Sequence, residues 1–329
     1  LESFLQVDGI GTYLKQYWIV PNKKKEGLFS YSVLIGCRDN FLTPEEIESR
    51  IVSVINKHQI EIPKRKVDKE FINLYISDIH AGAVINDSIY NNQYNEGVLI
   101  DRVKQIVEEV AYLKANQGVV NVVNLGDQLD GYNGLTTRGG HSLGSRPNSE
   151  QFDIYINAMS LLLCSLKGLF EGVNMINVDN SNHSGNGFSY MANTALKYKV
   201  AKDGIRVENR GERIFHEIIG CHAFIYTHGK DEKHMTRGWG LKLTPDLDKK
   251  ISEYLRFHKL LDYNCHLVKG DLHQYGHEYG SCFRYLNIPS IMGANDYAES
   301  NFANTKAGCV IEVFNSERNI FSHNVLHLK

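Results

Sequence analysis

An aspartate and a histidine stand close together directly after a run of apolar residues. The run Phe71–Ile76 has the length and residue types of a buried strand, and Asp78 and His80 follow it. Side chains two positions apart on an extended backbone point to the same side, so we expect these two to converge just beyond the strand. A carboxylate and an imidazole held together suit a divalent metal ion. Because Asp-x-His alone is a common pattern, further ligands must come from elsewhere in the chain.

Ligand-type residues recur after four further predicted strands. They stand in Gly126-Asp127-Gln128-Leu129-Asp130, Asp179-Asn180-Ser181-Asn182-His183, Thr227-His228-Gly229-Lys230 and Gly270-Asp271-Leu272-His273. In α/β proteins, sites form in the crevice beyond the carboxyl ends of strands, so these ends can share one pocket. Each motif alone is read more simply as a turn, a loop or a helix cap. Five Asp, His and Asn clusters, each at a strand end, together predict a metal centre.

The order and spacing of these motifs resemble the calcineurin-like metallophosphoesterases. The resemblance covers residues from about Phe71 to the C-terminus. It is closest to the DNA-repair nuclease and phosphodiesterase branches, and it is specific for the superfamily but not for a substrate. It implies a four-layer αββα sandwich with a two-metal centre and a metal-dependent phosphoesterase activity.

The resemblance also implies a role for each ligand-type residue. The residues that would hold two divalent ions are Asp78, His80 and His273 on one ion, Asn182, His228 and Asp271 on the other, and Asp127 between them. A hydroxide between the ions would be the nucleophile, and His183 would be the general acid that protonates the leaving oxygen. Asp130 is interpreted as a partner of the ligands and not as a ligand. The expected ions are Mn²⁺ first, with Mg²⁺, Fe and Zn²⁺ as alternatives.

Two positions depart from the family pattern. Ser181 replaces the glycine of Gly-Asn-His, which is a mild change. Asp271 replaces the first histidine of Gly-His-x-His. In one interpretation Asp271 is a working ligand that favours Mn²⁺ or Mg²⁺ over zinc. In the other, the substitution weakens binding of the second metal. Three ligand carboxylates plus a hydroxide fully offset two divalent cations, so we expect the site to favour phosphodiesters over phosphate monoesters.

The loop after Asp130 offers positive charge from outside the metal ligands. It contains Arg138, which could bind a phosphate oxygen, and His141, which could reach the leaving group. A solvent-facing arginine and a loop histidine are equally good interpretations. Lys230 and Lys269 are weaker candidates for the same role.

Alternating helix-like and strand-like segments position these motifs in an α/β domain. Helices are predicted over 98–116, 150–170, 190–199 and 247–261, strands over 71–76, 119–125, 173–178, 214–219, 221–227 and 265–269, and a mostly strand-like tail over 282–328. Residues 1–70 form a separate, small α+β appendage of unknown role, with strands over 12–20 and 28–35 and a helix over 44–57 that starts with a capping Thr43 and Pro44. Residues 71–329 form the catalytic domain.

Composition limits the function classes. The chain has 329 residues, a net charge of −2 and six cysteines without a C-x-x-C pair. This indicates a protein without a generally basic surface, without a disulfide framework and with a cytoplasmic location. No membrane association is expected, and residues 1–70 offer a route to homo-oligomers.

Three functions stay open. The first is a phosphodiesterase, which in one version is a nuclease acting on DNA or RNA. The alternative is a phosphomonoesterase or a phosphodiesterase for small or cyclic nucleotides. A third is a binding or regulatory module that lost its chemistry through Asp271.

Overall fold

The chain divides into two compact units, Leu1–Arg65 and Lys66–Lys329, where the sequence predicted a boundary after residue 70. The structure, a computed structural model, describes residues 12–21, 29–37, 69–86, 92–114, 118–179, 181–229, 240–295 and 306–329. In the first unit, strands β1 (Thr12–Pro21) and β2 (Phe29–Cys37) pair as an antiparallel hairpin. The helix predicted over 44–57 lies outside the described residues.

The second unit contains a six-stranded sheet. Its strands are β3 (Glu70–Ile76), β4 (Val119–Asn124), β5 (Gly172–Val178), β6 (Arg206–Arg210), β12 (Gly308–Asn315) and β13 (Phe321–His327). They lie in the order β13-β12-β3-β4-β5-β6. Strands β3 to β6 are parallel, whereas β12 and β13 run antiparallel to their neighbours. The sheet is therefore mixed, and its antiparallel strands come from the C-terminal part of the chain.

The same unit contains a second, five-stranded sheet. Its strands are β7 (Ile214–Ile219), β8 (His222–Thr227), β9 (Asn264–Lys269), β10 (Gly276–Tyr279) and β11 (Phe283–Asn287), in the order β10-β11-β9-β8-β7. Strands β8, β9 and β11 are parallel, and β7 and β10 are antiparallel edge strands.

Helices cover the outer faces of both sheets. They are α1 (Glu96–Leu113), α2 (Asn148–Leu169), α3 (Gly185–Ala201) and α4 (Pro245–Phe257). Alternate residues of β3 divide between two cores: Ile72 and Leu74 pack with α1 to α3, whereas Phe71 and Tyr75 pack against the other sheet. A third core lies between α4 and the five-stranded sheet. The order helix, sheet, sheet, helix confirms the predicted four-layer αββα sandwich.

Helix α2 is long and apolar enough to cross a membrane, and it alone meets this test among the residues that the structure describes. Tyr155, Met159 and Leu162, on one face of α2, are buried in the core against the six-stranded sheet. Its apolar character therefore has an explanation in the packing of this domain.

The structure differs from the sequence prediction at three elements. Helix α3 begins at Gly185, ahead of the predicted start at 190, because its first turn contains glycines of low helix propensity that hide the start, while Phe188 packs against the core. Strands β6 and β10 were not predicted. Both are short edge strands with charged or polar residues, so neither has the continuous apolar pattern of a buried strand.

Two rows of asparagines cross the six-stranded sheet. Asn73, Asn121 and Asn174 occupy matching positions on β3, β4 and β5, and each donates its side-chain amide to the row neighbour or to Tyr75. Asn124, Asn177 and Asn209 form a second row across β4, β5 and β6. Because these amides are satisfied only when the strands pair in this register, the rows oppose a slip that would move the loops after the strands.

We expect Asn121→Ala to destabilise the second unit by about 1–3 kcal/mol, since it leaves the side-chain oxygen of Asn73 and the amide of Asn174 without their partner. Urea unfolding followed by circular dichroism measures this change. Asn157→Ala, at an exposed position on α2, is the matched control and should change the free energy of unfolding by less than about 0.5 kcal/mol. Equal effects of the two substitutions would contradict a structural role for the row.

Candidate metal centre

The carboxyl ends of five strands from both sheets meet at one place. Asp78 follows β3, Asp127 follows β4, Asn182 lies beyond β5, His228 follows β8, and Asp271 lies beyond β9. Backbone hydrogen bonds join these loops directly: the Asp78 and His80 amides donate to the carbonyls of Gly126 and Asp127, and the Gly270 amide donates to His228. The predicted ligands are thus brought together, and the described loops that carry them form one connected unit.

The backbone at the centre is strained. Seven non-glycine residues in the described chain have positive φ, and five of them are predicted ligands: Asp78, His80, Asp127, Asp271 and His273. Such conformations cost about 1–3 kcal/mol each and persist where the surroundings impose them, often at functional sites. Gly126, at φ 113°, lies against the ring of His228, and any larger residue there would collide with it. The loops therefore keep strained backbone conformations that place the ligand side chains at the centre.

The first group of ligands contains Asp78, His80 and His273, all buried, with ligand atoms within 4.8 Å of one another. Asp78 Oδ1 lies 3.5 Å from His273 Nε2 and 4.0 Å from His80 Nε2. Asp78 Oδ1 and His80 Nε2 are buried without a hydrogen-bond partner in the described chain. Buried polar atoms are normally satisfied, so two ligand-type atoms left without hydrogen bonds 4.0 Å apart fit a cation.

The remaining atoms of this group are held by the protein. Asp78 Oδ2 accepts from the hydroxyl of Ser77 and, at 3.1 Å, from the backbone amide of Asp271. His273 Nδ1 lies 3.2 Å from the Gly293 carbonyl, which fixes Nδ1 as the donor and leaves Nε2 to face Asp78. Asp78 and His273 therefore each direct one atom towards the proposed ion and use the other to hold their orientation.

The second group centres on His228. Its Nε2 lies 3.0 Å from Asn182 Oδ1, 3.2 Å from Asp127 Oδ2 and 3.8 Å from Asp271 Oδ1. Its Nδ1 lies 2.8 Å from the Leu125 carbonyl, so Nδ1 is the donor. Asp271 thus stands beside the other predicted ligands of the second ion. An imidazole nitrogen with carboxylate and amide oxygens is a donor set that Mn²⁺ and related divalent ions accept.

Asp127, the predicted bridging ligand, uses its two oxygens differently. Oδ1 accepts from the Ser181 hydroxyl at 2.5 Å, the Asn182 amide at 3.1 Å and the His183 amide at 3.4 Å. Oδ2 faces His228 and lies 3.9 Å from His183 Nε2. Three donors therefore fix the carboxylate through one oxygen and present the other to the centre. The serine that replaces the family glycine supplies one of these donors.

His183 lies at the edge of the cluster. Its Nδ1 lies 2.8 Å from the Asp130 carbonyl, its ring centroid is 4.4 Å from that of His80, and its side chain is 18% exposed. Asp130 Oδ1 lies 3.3 Å from His80 Nδ1, and its other oxygen accepts from Ser145. This arrangement fits the prediction that Asp130 orients a ligand, and it leaves the Nε2 side of His183 towards the centre.

Burial and mutual attraction set the charges of these groups. Burial alone would raise the pKa values of Asp78 and Asp127, but nearby imidazoles, His273 for Asp78 and His228 for Asp127, outweigh it and hold both pKa values below the usual range. Burial would lower the pKa of His228, but Asp127, Asp78 and Asp271 raise it to about 10. Protons on the imidazoles thus compensate the carboxylates, and cations that bind must displace them.

The basic candidates lie in different surroundings. Arg138 is half-buried, and its backbone amide donates to the Asn182 carbonyl at 3.1 Å, so the loop is attached to the ligand segment. His141 is exposed, and its backbone closes the turn with Thr136; the structure gives its ring no contact with a predicted ligand within the described chain. Lys269 is fully buried, with Nζ 3.3 Å from the Gly270 carbonyl. Lys230 lies outside the described residues.

Sequence reasoning missed the segment 290–293, which supports the centre from the far end of the chain. The Ser290 hydroxyl and the Met292 amide both donate to the Asp78 carbonyl, and Gly293 orients His273. Arg102 of α1 in turn donates to the Ile291 and Met292 carbonyls. Backbone carbonyls carry no sequence signal, so this support is visible only in the structure.

Comparisons with known proteins add distant structural similarity. No family model matches the chain, and no curated protein matches it. A Streptococcus pneumoniae protein described as a predicted phosphoesterase is 12% identical, with a TM-score of 0.34 over 78% of this chain and 90% of that one. A novel archaeal phosphodiesterase is 12% identical, with a TM-score of 0.38 over 78% and 99% of the two chains. Vps29 from Entamoeba histolytica, solved with Zn²⁺, is 13% identical, with a TM-score of 0.35 over 78% and 99%.

These similarities are too distant to assign an activity. The chain's own motifs and layers show its resemblance to the calcineurin-like metallophosphoesterases: the motifs come in the expected order, and the αββα sandwich brings them together at the strand ends. The buried Asp and His groups are able to hold a metal ion.

We expect Ser181→Gly, which restores the family residue, and Ser181→Ala to weaken Mn²⁺ binding about 10- to 100-fold, because Asp127 loses a donor that fixes its orientation. Titration calorimetry on the chelator-treated chain measures this affinity. Ser142→Ala, at an exposed loop position, is the control and should bind like the wild type. Unchanged affinity in both Ser181 variants would show that the hydroxyl does not position the carboxylate.

Proposed function

We propose that this protein is a two-metal phosphodiester hydrolase. The observation that carries the proposal is the buried pair Asp78 Oδ1 and His80 Nε2, which lie 4.0 Å apart and have no hydrogen-bond partner within the described chain, beside a second group around His228. A purely structural polar cluster would be expected to leave no such buried atoms without a hydrogen bond. Donor atoms left open in a strained, buried setting support an ion-binding role instead.

Different residues of the chain would hold each of the two metal ions. Two divalent cations, Mn²⁺ in our proposal, would supply Lewis-acid polarisation of the phosphoryl oxygens and activation of the attacking water. The residues that would hold them are Asp78, His80 and His273 for one, Asn182, His228 and Asp271 for the other, and Asp127 for both. The hydrogen bonds on the remaining oxygens and ring nitrogens keep these ligands in place before the substrate arrives.

His183 is proposed as the general acid. The Asp130 carbonyl holds its Nδ1, so the proton for the leaving oxygen would come from Nε2, on the side that faces the centre. Burial lowers the pKa of His183, and the carboxylates of Asp127 and Asp130 only partly oppose this. The lowered pKa favours the neutral ring, whereas a general acid needs a proton on Nε2. We expect this acid to matter most for leaving groups of high pKa.

Arg138 is the proposed phosphate contact from outside the metal ligands. Its backbone lies against Asn182, and the glycines that follow it, Gly139 and Gly140, have positive φ and form the tip of the loop. A guanidinium can donate two parallel hydrogen bonds to a phosphate. The exposed His141 offers less support for a catalytic role, and we place it on the rim of the loop.

We expect the chain to hydrolyse bis(p-nitrophenyl) phosphate with Mn²⁺, and Asp127→Asn to lose at least about 100-fold in kcat, because the bridging position loses its charge. His183→Ala should lose about 10²–10⁴-fold on esters with alkoxide leaving groups and much less on p-nitrophenyl esters, whose leaving group needs no proton. Initial rates with a series of esters measure both effects.

His258→Ala is the matched control, since His258 is exposed at the end of α4, and it should turn over like the wild type. Metal analysis of each preparation must accompany the rates. A wild-type chain that holds two Mn²⁺ ions and hydrolyses none of the esters would contradict an enzyme and favour the binding or regulatory module.

The carboxylate at position 271 is proposed to set the preference for diesters. In Asp271→His we expect the rate on p-nitrophenyl phosphate to rise about tenfold relative to the rate on bis(p-nitrophenyl) phosphate, because one negative charge leaves the site that receives the dianion. Asp262→His, on the surface, is the control and should leave the ratio unchanged. The same ratio in Asp271→His as in the wild type, at equal metal content, would rule out this charge effect.

A further inference from the structure

Four aromatic rings in tilted contact lie on the edge of the sandwich, on the edge strands of the two sheets. We call this group the edge row, and its members are Tyr275, His277 and Tyr279 around strand β10, with His323 of β13. The ring centroids are 5.7 Å apart for Tyr275 and His323, 5.2 Å for His323 and His277, and 5.1 Å for His277 and Tyr279. The four rings therefore form one continuous row, which joins the edge strands of both sheets.

The edge row begins close in sequence to a predicted ligand. Tyr275 stands two positions after the ligand His273, and Gly276 pairs with Asn287 at the carboxyl end of β11. Asn287 in turn pairs with Lys269, the last residue of β9, just before the ligand segment. Tyr279 pairs further back, with Arg284. The row thus starts at the level of the carboxyl end of β11 and runs back along β10 on the side of the sandwich.

A buried ion pair anchors the edge row. Arg284 and Glu312, both nearly fully buried, form a two-point salt bridge between the two sheets. Glu312 also lies 2.5 Å from His323 Nδ1, and His323 Nε2 lies 2.8 Å from the Tyr275 hydroxyl. The hydroxyl of Tyr275 is thus held by His323, which is itself held by the buried carboxylate of Glu312. Aromatic rings fixed in advance lose little entropy when they bind a partner.

The exposed surface of the edge row favours a flat aromatic partner. Tyr275 is 37% exposed and Tyr279 is 72% exposed. Stacking on tyrosine and histidine faces is available to every nucleobase and does not depend on sequence. With a net charge of −2, the chain has no general excess of basic residues to attract phosphates. Affinity for a polynucleotide would have to come from the metal centre and from stacking.

We propose that the edge row binds the bases of a single-stranded nucleic acid whose phosphodiester lies at the metal centre. The proposal rests on the proposed phosphodiesterase function and names its substrate class. The base next to the scissile phosphate stacks near Tyr275, and the following bases extend towards Tyr279. Because stacking is insensitive to salt, the base-dependent part of the affinity stays nearly constant between low and physiological salt.

The test compares two fluorescein-labelled strands of equal length and charge, a ten-nucleotide thymidine strand and an abasic strand, both with phosphorothioate linkages that resist hydrolysis. Fluorescence anisotropy with the full chain and Mn²⁺ should show about tenfold tighter binding of the thymidine strand. Tyr279→Ala and Tyr275→Ala should each remove most of this preference and leave abasic binding unchanged. Tyr275→Phe, which keeps the ring and loses the hydroxyl, should retain part of it.

Tyr198→Ala is the matched control, since Tyr198 is 76% exposed on α3 outside the edge row. Equal affinities of the two strands for the wild type, or an equal loss in Tyr198→Ala, would overturn the proposal. Thymidine monophosphate that competes as well as the strand would overturn the assignment to a polynucleotide.

Hydrolysis of bis(p-nitrophenyl) phosphate by the same preparation separates the two proposals. Turnover without a base preference would overturn the edge row alone. A base preference without turnover of any ester would overturn the proposed enzymatic function and leave the edge row as a binding surface.

Discussion

The structure depends on the compensation of buried negative charge. Asp78, Asp127 and Asp130 are almost fully excluded from solvent, and each lies within 4 Å of an imidazole nitrogen. An isolated carboxylate in such a place would take up a proton, because desolvation opposes its charge. Here the imidazoles hold the pKa values of all three carboxyls below the usual range, and the raised pKa of His228 shows the same attraction from the other side. Divalent cations bound at the centre would compensate the buried carboxylates with more positive charge than the imidazoles supply.

The loops that carry these charged groups must keep their positions, because the carboxylates repel one another. The ligands stand on loops with positive φ, so the chain would release strain if the loops moved apart. The asparagine rows fix the register of the parallel strands, and these strands hold the ends of the loops. Residues 290–293 support the centre through the hydrogen bond from the Ser290 hydroxyl to the Asp78 carbonyl. Asp78, Asp127, His228 and His273 are further fixed by a hydrogen bond on their second side-chain atom. The fold therefore keeps like charges together that would otherwise separate, which is the condition for a preorganised site.

A second buried ion pair, Arg284 with Glu312, lies between the sheets and serves a different purpose. Both oxygens of Glu312 are taken up by Arg284, and one of them also by His323, so the carboxylate offers no open ligand atom. A buried pair of this kind contributes little net stability, but it fixes the positions of the groups that contact it. Here those groups are His323 and, through it, Tyr275. The same sandwich thus holds one charge cluster with open atoms and one that is closed and supports the surface beside it.

The sequence by itself determined the layered α/β class, most of the strands and helices, and the residues that meet at the centre. It could do so because apolar periodicity reports burial and because Asp, His and Asn at strand ends are ligand types. Helix α3 starts earlier than predicted because glycines in its first turn carry little helix signal, and β6 and β10 were missed because edge pairing depends on neighbours distant in sequence. Only the tertiary structure decided which atom of each ligand is open, that Ser181 holds Asp127, and that His323 meets Tyr275. Those facts are distances between residues far apart in the chain, and composition and spacing carry no measure of them.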